Sequence, residues 1–141
     1  MFRGATQNPL DSSRPMAYIF IMDTLPITVV ETPSFLRDAK KRMSEGERKD
    51  LISFLAYNPT AGDLIKGTGG IRKIRWARED EGKSGSFRVI YFFHSTNIPL
   101  FALSVFSKNE KADLTQAERN ELKKLSAALT NEYDKTKKVR T

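Results

Sequence analysis

Hydrophobic positions along this chain change period repeatedly, and each change marks an element. Ile27-Thr28-Val29-Val30 is a β-branched run and predicts a strand. Thr32 then precedes Pro33, an N-cap residue followed by proline at the first helical position. Phe35, Leu36 and Ala39 supply the apolar face of a helix reaching about Lys41. Ser44 and Glu47 stand at capping-box spacing and open a second helix through about Tyr57. Leu51, Ile52, Phe54 and Leu55 recur along it at helical spacing, so it buries one side against a sheet. Asn58-Pro59 ends it, because the proline ring disfavours helical geometry in the residue before it.

The second half changes to a period of two. Gly62 to Gly70 is glycine-rich and ends in Gly67-Thr68-Gly69-Gly70. It lacks the Gly-Lys-Ser/Thr of a phosphate-cradling loop and opens into a strand, so it reads as a turn. Ile71–Trp76 is that strand, and Glu79–Gly85 a polar connection. Ser86–Ser95 and Pro99–Ser107 are two apolar runs joined as a hairpin at Thr96-Asn97. Both carry large residues on both faces, which predicts central, covered strands. Thr115 and Glu118 make another capping box, and Leu122, Leu125 and Leu129 give an amphipathic helix to about Glu132. The resulting order is β-α-α-β-β-β-α, an α+β fold around a small, mostly antiparallel sheet.

The ends read differently from the middle. Residues 1–25 mix Gly, Asn, Ser, Asp and Pro without periodicity, the composition of a disordered extension, and Met22 is an alternative start. One domain is expected over residues 26–132, followed by a charged, frayed tail over 133–141.

Composition narrows the function. The 39% apolar content is enough for a compact core in 141 residues. There is no cysteine, which excludes disulfides, thiolate metal sites and a thiol nucleophile. The single histidine, His94, excludes a histidine pair and reads as a strand-end residue. No metal and no cofactor is expected. Tyr18–Met22, the longest apolar run near the N-terminus, is too short to span a bilayer, so no membrane partner is expected and the chain reads as cytoplasmic.

Charge says more. The net charge is +7, and residues 66–88 carry seven cations against three anions. A concentrated cationic excess is the footprint of a polyanionic partner such as nucleic acid. Alternation along the strand puts Lys73 and Arg75 on one face, with Ile74 and Trp76 on the other. Trp76 reads as packing rather than as a base-stacking platform. Metal-free RNA cleavage needs three things: a proton removed from the 2′-hydroxyl, charge stabilised on a phosphorane-like transition state, and a proton delivered to the 5′-oxygen. Fixed cations supply the second. A lysine supplies the first only when neighbouring cations destabilise its ammonium, and Arg72 and Arg75 flank Lys73.

Three blocks carry a family likeness: Gly69-Gly70-Ile71-Arg72-Lys73-Ile74-Arg75-Trp76-Ala77-Arg78; Gly82-Lys83-Ser84-Gly85 leading into Phe87-Arg88-Val89-Ile90-Tyr91-Phe92; and Phe106-Ser107-Lys108-Asn109-Glu110-Lys111-Ala112-Asp113-Leu114-Thr115. In this order and spacing they resemble the RelE/ParE superfamily of bacterial toxins, and within it the HigB/RelE-like branch of ribosome-dependent mRNA interferases. The likeness runs from about Ile27 to Leu129. It implies two N-terminal helices packed on one sheet face, with a C-terminal helix besides. It further implies a toxin that enters the decoding site of the 70S ribosome, contacts 16S rRNA, and cuts mRNA without a metal to leave 2′,3′-cyclic phosphate and 5′-hydroxyl ends. A cognate antitoxin is implied as partner, encoded beside it and of helix-turn-helix type. Operator DNA is bound only through the complex.

The resemblance places the family's lysine-x-basic pattern on Lys73 and Arg75, its following arginine on Arg88, and its basic residue after the last strand on Lys108. Lys73 is the expected base and Lys108 the expected acid, with Glu110 a second candidate acid. Arg72, Arg78, Lys83 and Lys111 are expected RNA contacts. Relatives use a late tyrosine or histidine where this chain has Ala112-Asp113-Leu114, and it has no histidine after His94. Two rival expectations therefore stand beside the nuclease: a ParE-like gyrase poison, and a catalytically inactive basic RNA-binding module of the same fold. The cationic strand favours the nuclease.

Overall fold

The computed structural model describes residues 25–77 and 86–140. The strands are β1 (Val29–Glu31), β2 (Asp63–Leu64), β3 (Ile71–Trp76), β4 (Phe87–Phe92) and β5 (Leu100–Ser107), and the helices α1 (Pro33–Arg42), α2 (Glu45–Tyr57) and α3 (Gln116–Arg140). The strands form one sheet in the order β1-β5-β4-β3-β2. Pairing is antiparallel except for β1, which runs parallel to β5 with Val29 opposite Leu100.

Local signals account for the helix starts. Thr32 Oγ1 accepts from the Phe35 amide at 3.2 Å and donates to the Ala102 carbonyl at 2.8 Å, so one side chain caps α1 and ties it to β5. Ser44 and Glu47 form the expected box, each side chain accepting from the other's backbone amide. Thr115 and Glu118 do the same at the start of α3. Arg48 pairs with Glu31 and Glu45, joining α2 to β1.

The sheet is covered on both sides. Phe35 and Ala39 of α1 and Leu51 and Leu55 of α2 pack against Phe87, Val89, Tyr91, Leu100, Ala102 and Val105. On the opposite face, Ile71, Ile90, Phe92, Ile98, Leu103, Phe106 and Leu114 form a second cluster beneath Leu122, Leu129 and Tyr133 of α3. This explains why β4 and β5 are apolar on both faces: each lies between helices. At Gly69, φ is +76° and an added Cβ would stand 3.1 Å from Ser126 Oγ, which itself donates to the Gly69 carbonyl. The glycine-rich turn is thus a seat for α3.

Two features depart from expectation. Strand β2 falls inside that turn region and pairs Asp63 with Lys73 and Leu64 with Arg72. Helix α3 continues to Arg140, past the expected end at Glu132 and through most of the expected frayed tail. The expected N-terminal extension lies outside the described residues except for Leu25.

Tyr91 fastens the loop between α2 and β2. Its hydroxyl donates to the Pro59 carbonyl and accepts from the Gly62 amide, both at 2.8 Å, while its ring is fully buried. Removing the hydroxyl strands both backbone groups. Tyr91→Phe is expected to cost about 1–3 kcal/mol in urea unfolding, the cost of a buried polar group left unpaired. An unchanged midpoint would refute the fastening role.

Candidate functional site

Strand alternation sorts β3 and β4 into an apolar side and a cationic side. Ile74, Trp76, Val89 and Phe87 turn toward α1 and α2, with the Trp76 ring 5.3 Å from that of Phe54. Ile71 and Ile90 belong to the α3 face, so Lys73, Arg75 and Arg88, each an even number of residues away on the same strand, share it. The register places Arg75 directly opposite Arg88 and Lys73 opposite Ile90. Arg88 is in turn opposite Phe106 of β5. Three of the expected catalytic cations are therefore brought together.

Their partners differ. Lys73 Nζ donates to Asp113 Oδ1 at 2.9 Å. Arg88 Nη1 reaches Ser86 Oγ at 3.4 Å. Arg75 is exposed, and among the described residues no carboxylate pairs with it or with Arg88. Two guanidinium groups directly opposite on one sheet face repel each other. The arrangement is unfavourable alone and favourable around an anion, for which the planar forks are suited.

The segment after β5 borders this face. Lys111 Nζ lies 4.8 Å from the centroid of Phe106 and pairs with Glu118, which places the expected RNA contact Lys111 beside the Arg88 row. Lys108 is exposed in the turn that begins at Ser107, and has no partner among the described residues. Glu110 holds this turn. One of its carboxylate oxygens accepts from Arg42 Nε at 2.8 Å and the Ser107 amide at 2.7 Å, and the other pairs with Arg42 Nη2. The Arg42 hydrogen bond, then the Ser107 amide, hold its carboxyl down at about 2. A carboxylate so engaged is a staple, which removes Glu110 from the candidate acids.

Arg72 lies apart from the other cations of β3. It was expected among the RNA contacts, but alternation turns it to the opposite face, where it donates to the carbonyls of Gly62 at 2.7 Å and Thr60 at 3.3 Å. There it braces the same loop as Tyr91. Arg78 and Lys83 lie outside the described residues. His94 stacks on Phe92 with centroids 6.4 Å apart, as a strand-end residue should.

Two residues of this face were missed from sequence, Asp113 and Arg119. Asp113 accepts from Lys73, from the Leu114 amide at 2.7 Å and from Arg119 Nη2 at 3.3 Å. Lys73 first, then the Leu114 amide, lower its carboxyl pKa. The capping box at Thr115 fixes where α3 starts, but no local signal pairs Asp113 with Lys73 across 40 positions. A cleft of about 760 Å³ between α1 and the start of α3 includes Lys111 in its lining but none of Lys73, Arg75 and Arg88. Arg75 is exposed and Lys73 and Arg88 are half-buried, so the cations are within reach of a polymer backbone.

With this geometry in place, the comparisons with known proteins are direct. Residues 28–139 match the RelE toxin of the RelE/RelB toxin–antitoxin system. The chain belongs to the RelE toxin family, whose members are toxins of toxin–antitoxin systems. Among solved structures it is similar to the Escherichia coli toxin RelE, a double arginine-to-alanine mutant in the free state, at 17% identity and a TM-score of 0.46, covering 62% of this chain and 88% of that one. No helix among the described residues is long and apolar enough to cross a membrane.

The Glu110 staple has a consequence in acid. A carboxyl whose folded pKa is depressed stabilises the fold above its ordinary range, and that stability drains away as pH falls through the folded value. Urea stability is therefore expected to decline as pH drops from about 4.5 to about 2. Glu110→Gln is expected to start lower at neutral pH and fall less over that window. A parallel decline in both proteins would count against the staple.

Proposed function

We propose that this chain is a ribosome-dependent endoribonuclease: it cleaves mRNA in the decoding site, arrests translation, and is held inactive in the cytoplasm by an antitoxin encoded beside it. With that antitoxin it represses their shared operon. The observation that carries this reading is the placement of Arg75 directly opposite Arg88 on a face shared with Lys73. No such crowd of cations is needed to poison a gyrase, and an inert fold gains nothing from it.

In the proposed reaction the ribose 2′-oxygen attacks its own 3′-phosphorus as the 5′-oxygen leaves. The products carry a 2′,3′-cyclic phosphate and a 5′-hydroxyl. Arg75 and Arg88 clamp the phosphate's non-bridging oxygens and stabilise the charge gathering there. Lys73, already donating to Asp113, contributes a further positive donor rather than an acceptor for the ribose proton, so water takes that proton. Lys108, exposed after β5, returns a proton to the 5′-oxygen. Lys111 contacts the flanking backbone.

Primer extension on mRNA from cells expressing the chain tests the proposal. Arg88→Ala is expected to reduce the cuts by about 10²–10³-fold, the scale of losing one preorganised charge donor. Arg75→Thr should lose cleavage too while gaining about 0.2–1 kcal/mol of stability, since it relieves the cross-strand repulsion. Cuts that persist in both variants would overturn the proposal, and blocked supercoiling without cuts would point to a gyrase target.

A further inference from the structure

The linker from β5 to α3 brings the Asp113 carboxylate against Lys73, at one end of the cation row. We propose that Asp113 is a positioning residue: its carboxylate, anchored at the start of α3, holds the Lys73 ammonium in place beside Arg75 and Arg88. The inference rests on the nuclease reading of that face.

Asp113 is built in rather than loosely docked. Oδ1 accepts from both Lys73 Nζ at 2.9 Å and the Leu114 amide at 2.7 Å, and Oδ2 from Arg119 Nη2 at 3.3 Å. Leu114 is itself buried in the α3-side core, and the Thr115–Glu118 box fixes the residues that follow. Displacing the carboxylate would leave the Leu114 amide without its acceptor. The carboxylate is thus stationary, and the lysine, with four rotatable bonds in its stem, is the part that gets ordered.

Ordering matters because Lys73 stands in a crowd. Arg75 is two residues along the same face and Arg88 is across from Arg75. Left to itself, a lysine there swings outward to escape their charge. A fixed carboxylate behind it offsets the repulsion and uses one of its three donors, leaving two to meet a phosphate. Asp113 acts on the reaction only through Lys73.

A carboxylate at this place has an opposite reading, a plug that occupies the phosphate's position and must leave. The two readings predict opposite signs for Asp113→Asn. Asparagine keeps an oxygen for the Leu114 amide but loses the ionic grip on Lys73. Cleavage of mRNA on 70S ribosomes is measured at a range of toxin concentrations for the wild type, Asp113→Asn, Asp113→Glu, Lys73→Ala and the Lys73→Ala/Asp113→Asn pair.

Positioning predicts that Asp113→Asn slows maximal cleavage by about 10–100-fold, the cost of a misplaced reacting group, with half-saturation changed by less than about twofold. Asp113→Glu should recover part of the rate. In the Lys73→Ala background the asparagine change should add less than about twofold, because the group it serves is gone. Wild-type or faster cleavage by Asp113→Asn, with tighter binding, overturns the proposal in favour of the plug. A loss as large without Lys73 as with it overturns it in favour of a plain folding role. Should Asp113→Asn fail to fold, Asp113→Glu decides alone: an intermediate rate supports positioning, and an unchanged rate overturns it. A wild type whose cuts depend on Arg88 but ignore Asp113 sinks this inference and leaves the nuclease standing. A wild type that makes no cuts sinks both.

Discussion

The register between β3 and β4 is the constraint on which the rest depends. Ile74 and Trp76 go into the core under α1 and α2, with Val89 and Phe87 beside them. Burying those four side chains decides where Lys73, Arg75 and Arg88 point, because side chains alternate along β3 and along β4 from Phe87 to Ile90. A slip of one residue would drive the cations into the core and expose the apolar set. The stability of one face therefore specifies the chemistry of the other. No contact among the cations themselves is needed to bring them together, and their mutual repulsion opposes it.

That repulsion is distributed unevenly. At the α3 end of the face, Asp113 meets Lys73 and Arg119, and Glu118 meets Lys111. Glu110, just outside, is spent on Arg42. Each of these carboxyls has its pKa lowered, chiefly by a hydrogen bond from its cation. The compensation stops short of Arg75 and Arg88, which meet no carboxylate among the described residues. A fold optimised for stability alone would place a threonine or an acid at one of these positions. Leaving two arginines opposed keeps a strong, localised demand for an anion at one point of the sheet.

Much of this was legible in the sequence, and the failures have physical causes. Elements announced by a local rule came through: the boxes at Ser44–Glu47 and Thr115–Glu118, the proline at the start of α1, and the limits of β3. Strand β2 was not legible, since its two residues, Asp63 and Leu64, are both exposed and have no periodicity to show. The end of α3 was missed because the leucine stripe stops at Leu129, whereas Tyr133 extends the buried face by a turn and the helix runs on to Arg140. For the site, alternation identified the shared face of Lys73 and Arg75, and the same rule, applied to Arg72, already placed it behind the sheet. Asp113 could not be found this way. Its meeting with Lys73 spans 40 positions and depends on how the β5–α3 linker crosses the sheet, which no local pattern encodes.

The placement of Tyr91, Tyr133 and His94 bears on how the proposed reaction moves its protons. Tyr91 is committed to Pro59 and Gly62 on the far face. Tyr133 packs edge-on to Phe101, with centroids 6.5 Å apart, and His94 stacks on Phe92 beyond the other end of the face. None of these three stands among Lys73, Arg75 and Arg88, so on the proposed reading this face supplies charge and orientation while the proton transfers fall to Lys108 and water. Electrostatic stabilisation acts fully only once the attacking 2′-oxygen, the phosphorus and the 5′-oxygen are in line. A free RNA strand samples that alignment rarely. On the proposed reading, the cations of this face therefore supply charge, and the alignment of the RNA comes from the partner that holds it.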